Sequence, residues 1–249
     1  MIKKVFGFFW AIWGFSCFMI VVAVFTLIYA VILLIGGKKY SRHCVWINCH
    51  YLSPLLLFLY GIRLRVHQAE RGITEGPCVY ISNHLAQIDI LANASACPRP
   101  MKFLAKAEVR NIPFFGVMVG MLGIIVDRQD KNSRAQSMDS LIRALQEGDN
   151  LFIYPEGSRN RTAEPLKEFK SGAFRAAVQA QVPIVIQVLV NTRELNDPRT
   201  ISLLPGTVDV YYCETISTKG LKIEDVPRIQ EEAKRKILQV LTEKSASRS

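Results

Sequence analysis

"CVYISNHLAQIDIL", residues 78–91, decides how this chain is read. Its first five residues are a short apolar run of strand character. Asn83 and His84 break the run, and "IDILANASA" (88–96) continues as a helix. Strand, polar loop and helix in that order form the unit of an α/β sheet. In open sheets of this kind, ligands sit beyond the carboxyl ends of the strands. His84 then stands in the loop, with Asp89 in the first helical turn. Inside one helix the two would lie on opposed faces, five residues at ~100° apart each. Across the loop they can meet, and a carboxylate against one imidazole nitrogen leaves the other free to accept a proton. The stretch offers no obvious serine or cysteine nucleophile, so the pair is a candidate for deprotonating a substrate hydroxyl directly. Taken alone, a His-x4-Asp spacing is more often an ordinary strand-to-helix corner.

Outward from this stretch the same texture repeats. "IRLRVH", "CVYIS", "MKFLAK", "GIIVDR", "NLFIYP", "VPIVIQVLV" and "VDVYYCETI" read as strands. "NSRAQSMDSLIRALQEG" reads as a helix with a cap-like Asn132-Ser133 start, an apolar face of Ala135, Met138, Ile142 and Leu145, and Gly148 at its stop. "KSGAFRAAVQA" is a second helix. Val226, Ile229, Ala233, Ile237 and Leu241 give a third, amphipathic one; only "EKSASRS" at the end reads as disordered. Alternation of this kind predicts an α/β fold, a mostly parallel sheet flanked by helices.

Before that sheet comes sequence of another kind. "FGFFWAIWGFSCFMIVVAVFTLIYAVILLIG" (6–36) carries no charge. As a helix it would be about 45 Å long, more than the ~30 Å hydrocarbon core and far longer than a signal-peptide apolar region. "WINCHYLSPLLLFLYGI" (46–62) either lies in the membrane interface or pairs with the first helix. No acid precedes Glu70, whereas Lys3, Lys4, Lys38, Lys39, Arg42, Arg63 and Arg65 do, seven of the net +10 charges. Cations beside apolar sequence suit an anionic membrane surface and not a nucleic acid. Basic residues flank the long run on both sides, so they give no orientation. The six cysteines are scattered without a CxxC, which fits a reducing cytosolic face and neither a disulfide framework nor a zinc site. The expected division is a membrane-anchoring helical segment over 1–60 and a catalytic domain over 61–249.

The other strand ends add charge to the opening pair. "NLFIYPEGSRNRT" (150–162) stops at Pro155 and continues with a glycine between arginines, a reasonable anion cradle because Arg presents a planar fork to phosphate oxygens. Arg128 ends another strand and Lys106 a third. Singly, each cation reads as a solvated surface charge. Together they would line one sheet edge beside His84.

"NHLAQID", "LGIIVDR", "YPEGSRN" and "VPIVIQV" resemble the four ordered blocks of the glycerolipid acyltransferase family. The likeness is greatest to 1-acylglycerol-3-phosphate acyltransferases of the bacterial inner-membrane type. It runs from about Arg63 to Glu214, and the third block with "FKSGAFRAA" (169–177) is its most specific part. The resemblance implies His84 as general base and Asp89 as its orienting partner. It ties Arg128, Glu156, Gly157 and Arg159 to acceptor binding, with Lys106 beside them. It implies transfer of a fatty acyl group from acyl-CoA or acyl carrier protein to the sn-2 hydroxyl of lysophosphatidate, with no cofactor and no metal; His43, His50 and Cys49 read as interfacial. The implied partners are the lipid bilayer, a lysophospholipid acceptor and the acyl thioester, and no nucleic acid. The implied location is the cell inner membrane, catalytic domain on the cytoplasmic side. Leu85 and Ala86 depart from the glutamine and small hydroxyl residue usual after the histidine, which bears on acceptor or donor preference. Tyr154 and Ser158 replace the commoner phenylalanine and threonine. Another lysophospholipid or a lyso-aminolipid is the alternative acceptor; a thioester or phosphate hydrolase at the membrane is the more distant reading.

Overall fold

The computed structural model describes residues 2–126 and 131–246. All seven apolar runs are strands: β1 (Ile62–His67), β2 (Val79–Ser82), β3 (Met101–Lys106), β4 (Ile124–Val126), β5 (Asn150–Ile153), β6 (Ile184–Val190) and β7 (Gly206–Tyr212). They form one sheet in the order β1-β7-β6-β2-β5-β3-β4. From β6 to β4 the neighbours run parallel. β7 is antiparallel to β6, and β1 is parallel to β7, so two reversed strands close one edge. Every residue of β2 and β6 is buried. That is why both read as unbroken apolar runs, since a parallel strand is covered on both faces.

The helices are α1 (Ile2–Gly36), α2 (Ser41–Ile47), α3 (Ser53–Leu59), α4 (Asp89–Ala96), α5 (Phe115–Leu122), α6 (Lys131–Gln146), α7 (Gly172–Ala180), α8 (Thr192–Leu195) and α9 (Val226–Ala246). One core joins α1 to α5 with one sheet face, through Leu56, Tyr80, Phe152, Val185 and Val210. The other joins α6, α7 and α9 to the opposite face, through Ile81, Ile153, Ile186 and Phe174. The five apolar positions expected of α9 are all buried. Its helix also continues through Ala246, into the tail expected to be disordered. In α6 the buried stripe is Leu141, Ala144 and Leu145 with Met138 packed beside it, while Ala135 is exposed and Ile142 half-buried. The expected face was therefore rotated by about a residue, because Leu141 and Ala144 outcompete it for the sheet. The side chains of Asn132 and Ser133 lie outside the described residues.

The N-terminal segment is built into the body. A π turn (Asn48–Leu52) joins α2 to α3 ahead of Pro54, whose ring has no N–H for the preceding turn. α3 then runs back along α1. The Trp10 and Trp13 indoles donate to the carbonyls of Tyr60 and Leu59, at 2.9 and 3.1 Å, and so satisfy groups left open at the end of α3. Cys44, Cys49 and Leu56 share a core with Tyr80 and Val210. Cys49, expected at an interface, is thus 1% exposed, whereas His43 and His50 are exposed. One flank of α1 is buried at Gly7, Gly14, Cys17, Val22, Thr26 and Tyr29. Its opposite flank exposes Phe9, Ile20, Leu27 and Leu34, and Phe58 and Val117 are exposed as well.

Gly14 shows how closely α1 is seated. A Cβ there would stand 2.6 Å from Leu203 and 3.4 Å from the Tyr60 ring. Gly14→Val is expected to lift the helix and to lower stability by about 1–3 kcal/mol, the usual consequence of overpacking. Thermal unfolding in detergent measures it; wild-type stability would show that α1 is not held against Leu203 and Tyr60.

Candidate active site

β2, β3, β4 and β5 are parallel, so their carboxyl ends share one edge. Past Ser82 the chain leaves the sheet, and Asn83 fixes where it does so. Its amide nitrogen donates to the Leu189 carbonyl at 2.9 Å and its oxygen accepts the Leu189 N–H at 2.8 Å, continuing by side chain the pairing with β6. His84 is then held through its own backbone. Its N–H donates to Glu156 Oε1 at 2.8 Å, and its carbonyl accepts the Asn160 N–H at 2.7 Å. The loop after β5 thereby grips the residue that follows β2.

The imidazole Nδ1 lies 2.9 Å from Asp89 Oδ2. The same oxygen accepts the N–H groups of Leu85 and Ala86 at 2.6 and 2.7 Å. A carboxylate that takes three donors can only accept, so Nδ1 carries the proton and Nε2 is the free base. Asp89 is fully buried and opens α4, a position where a helix terminus favours negative charge. Its Oδ1 is buried with no hydrogen-bond partner. All the anchoring therefore acts through one oxygen, against a His84 side chain that is 12% exposed.

The Tyr154 ring stacks on the imidazole, centroids 3.8 Å apart and planes 12° from parallel. Burial, with the Asp89 charge adding to it, pushes the Tyr154 hydroxyl well above its ordinary pKa, so it remains a donor. It donates to Asn93 Oδ1 at 2.8 Å, and Asn93 Nδ2 donates to Gln187 Oε1 at 2.7 Å. Gln187 Nε2 donates to the Tyr212 hydroxyl, which donates to the Ala96 carbonyl at 2.8 Å. Each of these polar groups has its partner inside the core, which fixes the ring beneath His84. Only Tyr154 was visible in the sequence, and there only as a replacement for phenylalanine.

Glu156 was expected at the acceptor. It is instead 1% exposed and faces inward, Oε1 on the His84 N–H and Oε2 on the Lys167 N–H at 2.9 Å. Burial raises its pKa, opposed by those N–H groups and by the Lys167 charge. Its work is to join two loops. Glu156→Ala leaves two buried N–H groups unpaired and is expected to destabilise by about 1–3 kcal/mol for each; an unchanged denaturant midpoint would show that the carboxylate is not the link.

Gly157 adopts φ +73°, a left-handed conformation that strains a side-chain-bearing residue and favours glycine in the turn. Arg159 follows, half-buried and without a hydrogen bond or ion pair among the described residues. Burial first, and Arg161 second, press its pKa down, while the Asp89 charge works the other way. A partly desolvated guanidinium with no partner among the described residues keeps its donors available to an anion. Arg193, which sequence reasoning passed over, braces this loop by donating to the carbonyls of Asn160 and Thr162, both at 2.9 Å. Lys106 ends β3 at the same edge and is exposed. Arg128, expected to close this group from the end of β4, lies outside the described residues. Among the described residues, no three His, Cys, Asp or Glu side chains are placed to hold a metal ion.

Comparison with known proteins gives the family and the fold. A family model described as Acyltransferase matches residues 63–189. Human 1-acyl-sn-glycerol-3-phosphate acyltransferase beta is 33% identical over 174 residues, 69% of this chain and 62% of that protein. The sheep 1-acyl-sn-glycerol-3-phosphate acyltransferase alpha is 32% identical over 201 residues, 79% of this chain and 70% of its own. The crystal structure of the 1-acyl-sn-glycerophosphate (LPA) acyltransferase PlsC from Thermotoga maritima shares the fold, with a TM-score of 0.80 over 96% of this chain and 97% of that one, at 19% identity. On the family match and these two identities together, the chain belongs to the acyltransferase family.

Proposed function

We propose that this protein moves a fatty acyl group from an acyl thioester, acyl-CoA or acyl carrier protein, to the free sn-2 hydroxyl of lysophosphatidate, giving phosphatidate. The observation that carries the reading is the His84 imidazole, held through Nδ1 by Asp89 so that Nε2 is left to accept a proton, with the Asp89 charge also felt by Arg159. His84 Nε2 takes the hydroxyl proton as the glycerol oxygen attacks the thioester carbonyl. A C–O bond forms, the C–S bond breaks, and the proton passes from the imidazolium to the departing thiolate. Asp89 stabilises the imidazolium between those events. Among the described residues no hydroxyl or thiol is hydrogen-bonded to His84, and burial raises the thiols of Cys78, Cys97 and Cys213, so direct transfer is favoured over an acyl-enzyme. Arg159, with Lys106 and Arg128 along the edge, takes the acceptor phosphate. No cofactor enters the step.

The exposed apolar flank of α1, with Phe58 and Val117 exposed as well, serves as the bilayer face. Because α1 is seated on the body from Gly7 to Tyr29, residues 1–60 hold the catalytic sheet, residues 61–249, against the lipid. The six unpaired cysteines and the family resemblance support the cytoplasmic side of the inner membrane.

The acceptor is tested with purified protein in detergent, a labelled acyl thioester and a panel of lyso-acceptors. Lysophosphatidate is expected to be acylated fastest; equal rates on lysophosphatidylcholine or a lyso-aminolipid would remove the phosphate from the account. Arg159→Ala should raise the KM for lysophosphatidate by about 10–100-fold, for a lost charge-assisted hydrogen bond of ~1.5–3 kcal/mol, and leave the thioester KM nearly unchanged. An equal rise for both substrates would assign Arg159 to the donor or to folding.

A further inference from the structure

Three cations gather at the edge of the sheet opposite His84. Arg42 of α2, Arg99 before β3 and Lys102 within it line a cavity of about 240 Å³ with Gly148, Asp149 and Asn150, which lead into β5. They face one carboxylate. Asp149 is buried and accepts from Arg42 Nε at 2.7 Å and from Lys102 Nζ at 2.5 Å. Arg42 Nη2 also donates to the Glu147 carbonyl. Among the described residues the third cation has no acid partner: Arg99 Nη1 donates to the carbonyls of Thr74 and Gly76 at 2.8 and 2.6 Å, and to Thr74 Oγ1 at 3.3 Å. Its Nε and other terminal nitrogen have no partner among those residues, and Lys102 and Arg42 keep hydrogens beyond the ones these bonds use. Two positive charges are thus left over, with donors to spare, around one cavity.

The helix that brings Arg42 also carries an aromatic cluster. Trp46, one turn on, has its ring 5.9 Å from His43, 4.7 Å from His50 and 5.6 Å from Tyr51, and both Trp46 and Tyr51 are exposed. Exposed Trp and Tyr beside basic residues suit the headgroup level of a bilayer, and the apolar flank of α1 leads directly into this helix. β2, β3 and β5 run parallel, and the cavity opens at their amino ends while His84 follows a carboxyl end. One strand length, about 15–20 Å, separates them, so one lysophosphatidate phosphate cannot serve both.

We propose that Arg42, Arg99 and Lys102 around Asp149 form a second anion site, distinct from the acyl-transfer edge, that binds the phosphate of an anionic lipid headgroup and seats the protein on charged bilayers. The site is independent of the acyl-transfer reading, because it is read by binding and not by turnover.

Flotation of the full-length protein with vesicles tests it, comparing phosphatidylcholine alone with equimolar phosphatidylcholine and phosphatidylglycerol. Wild type should favour the anionic vesicles, and Arg42→Gln should lower that preference about fivefold, the worth of one basic residue at such a surface. Arg99→Gln is the second variant should Arg42→Gln fail to fold by circular dichroism. Lys219→Gln removes the same charge from an exposed loop outside the cavity and should keep the preference. Inorganic phosphate is then added against chloride of matched ionic strength. No competition identifies a lipid headgroup as the occupant; competition keeps the anion site and identifies soluble phosphate as a second source. Equal losses in Arg42→Gln and Lys219→Gln, or no loss in folded Arg42→Gln and Arg99→Gln, would overturn the proposal.

Discussion

His84→Ala is expected to lower acyl transfer by about 10²–10⁴-fold, the contribution of a positioned general base, with little change in folding or membrane association. Among the described residues its side chain hydrogen-bonds to Asp89 alone, and the backbone links to Glu156 and Asn160 survive the substitution. Asp89→Asn separates orientation from charge. An asparagine oxygen in place of Oδ2 can still accept from His84, Leu85 and Ala86, and its NH₂ replaces an Oδ1 that has no partner. The tautomer is kept while the charge that stabilises the imidazolium is lost, so activity should fall between wild type and His84→Ala. Wild-type turnover in His84→Ala would remove the base from the mechanism.

Deleting residues 1–35 is the second large effect. Read from the sequence as a lipid anchor, this segment should be removable, with the protein leaving the membrane and short-chain acceptors still turned over. Its packing changes that expectation. Val22 and Tyr29 are essentially inaccessible, and α1 covers Leu203, Tyr60 and α5. Each fully buried apolar side chain is worth about 1.5–3 kcal/mol, and the surfaces uncovered opposite add to the loss. Together these approach the ~5–15 kcal/mol that holds a domain folded. The deletion should give aggregated protein inactive on every acceptor, followed by circular dichroism and turnover. A folded fragment active on short-chain acceptors would show that α1 serves lipid delivery alone.

How much was legible in the sequence follows from what each signal encodes. Continuous apolar runs marked β2 and β6, which are covered on both faces, whereas β1 at the sheet edge was marked by the alternation of Ile62, Leu64 and Val66 with Arg63, Arg65 and His67. The same runs carry no direction, so the reversal of β7 and β1 was invisible. α5 was missed because "FGVMVGML" is apolar all round and holds two glycines, leaving no 3.6-residue period to find. α1 was identified as a helix by the same uniform apolarity, which hid the flank that packs on the body.

At the site, His84 and Asp89 stood close enough in the chain for their meeting to be argued from a loop and a helix start. Glu156 was found in its motif but assigned outward, because a carboxylate with two backbone N–H partners looks in sequence like any other acid. Tyr154 just after β5, Asn93 in α4, Gln187 in β6 and Tyr212 in β7 are separated by 61, 94 and 25 residues between successive partners. No local pattern records such a chain.

Acyl transfer to a lipid hydroxyl, with His84 as base and no route through water, is the central claim. Its most direct measurement follows thiol release from the acyl thioester with and without lysophosphatidate, quantifying phosphatidate and free fatty acid together. Thiol release that depends on the acceptor and matches phosphatidate mole for mole is the expected result. Thiol release without acceptor, with free fatty acid as the product, would contradict the account and make the protein a hydrolase.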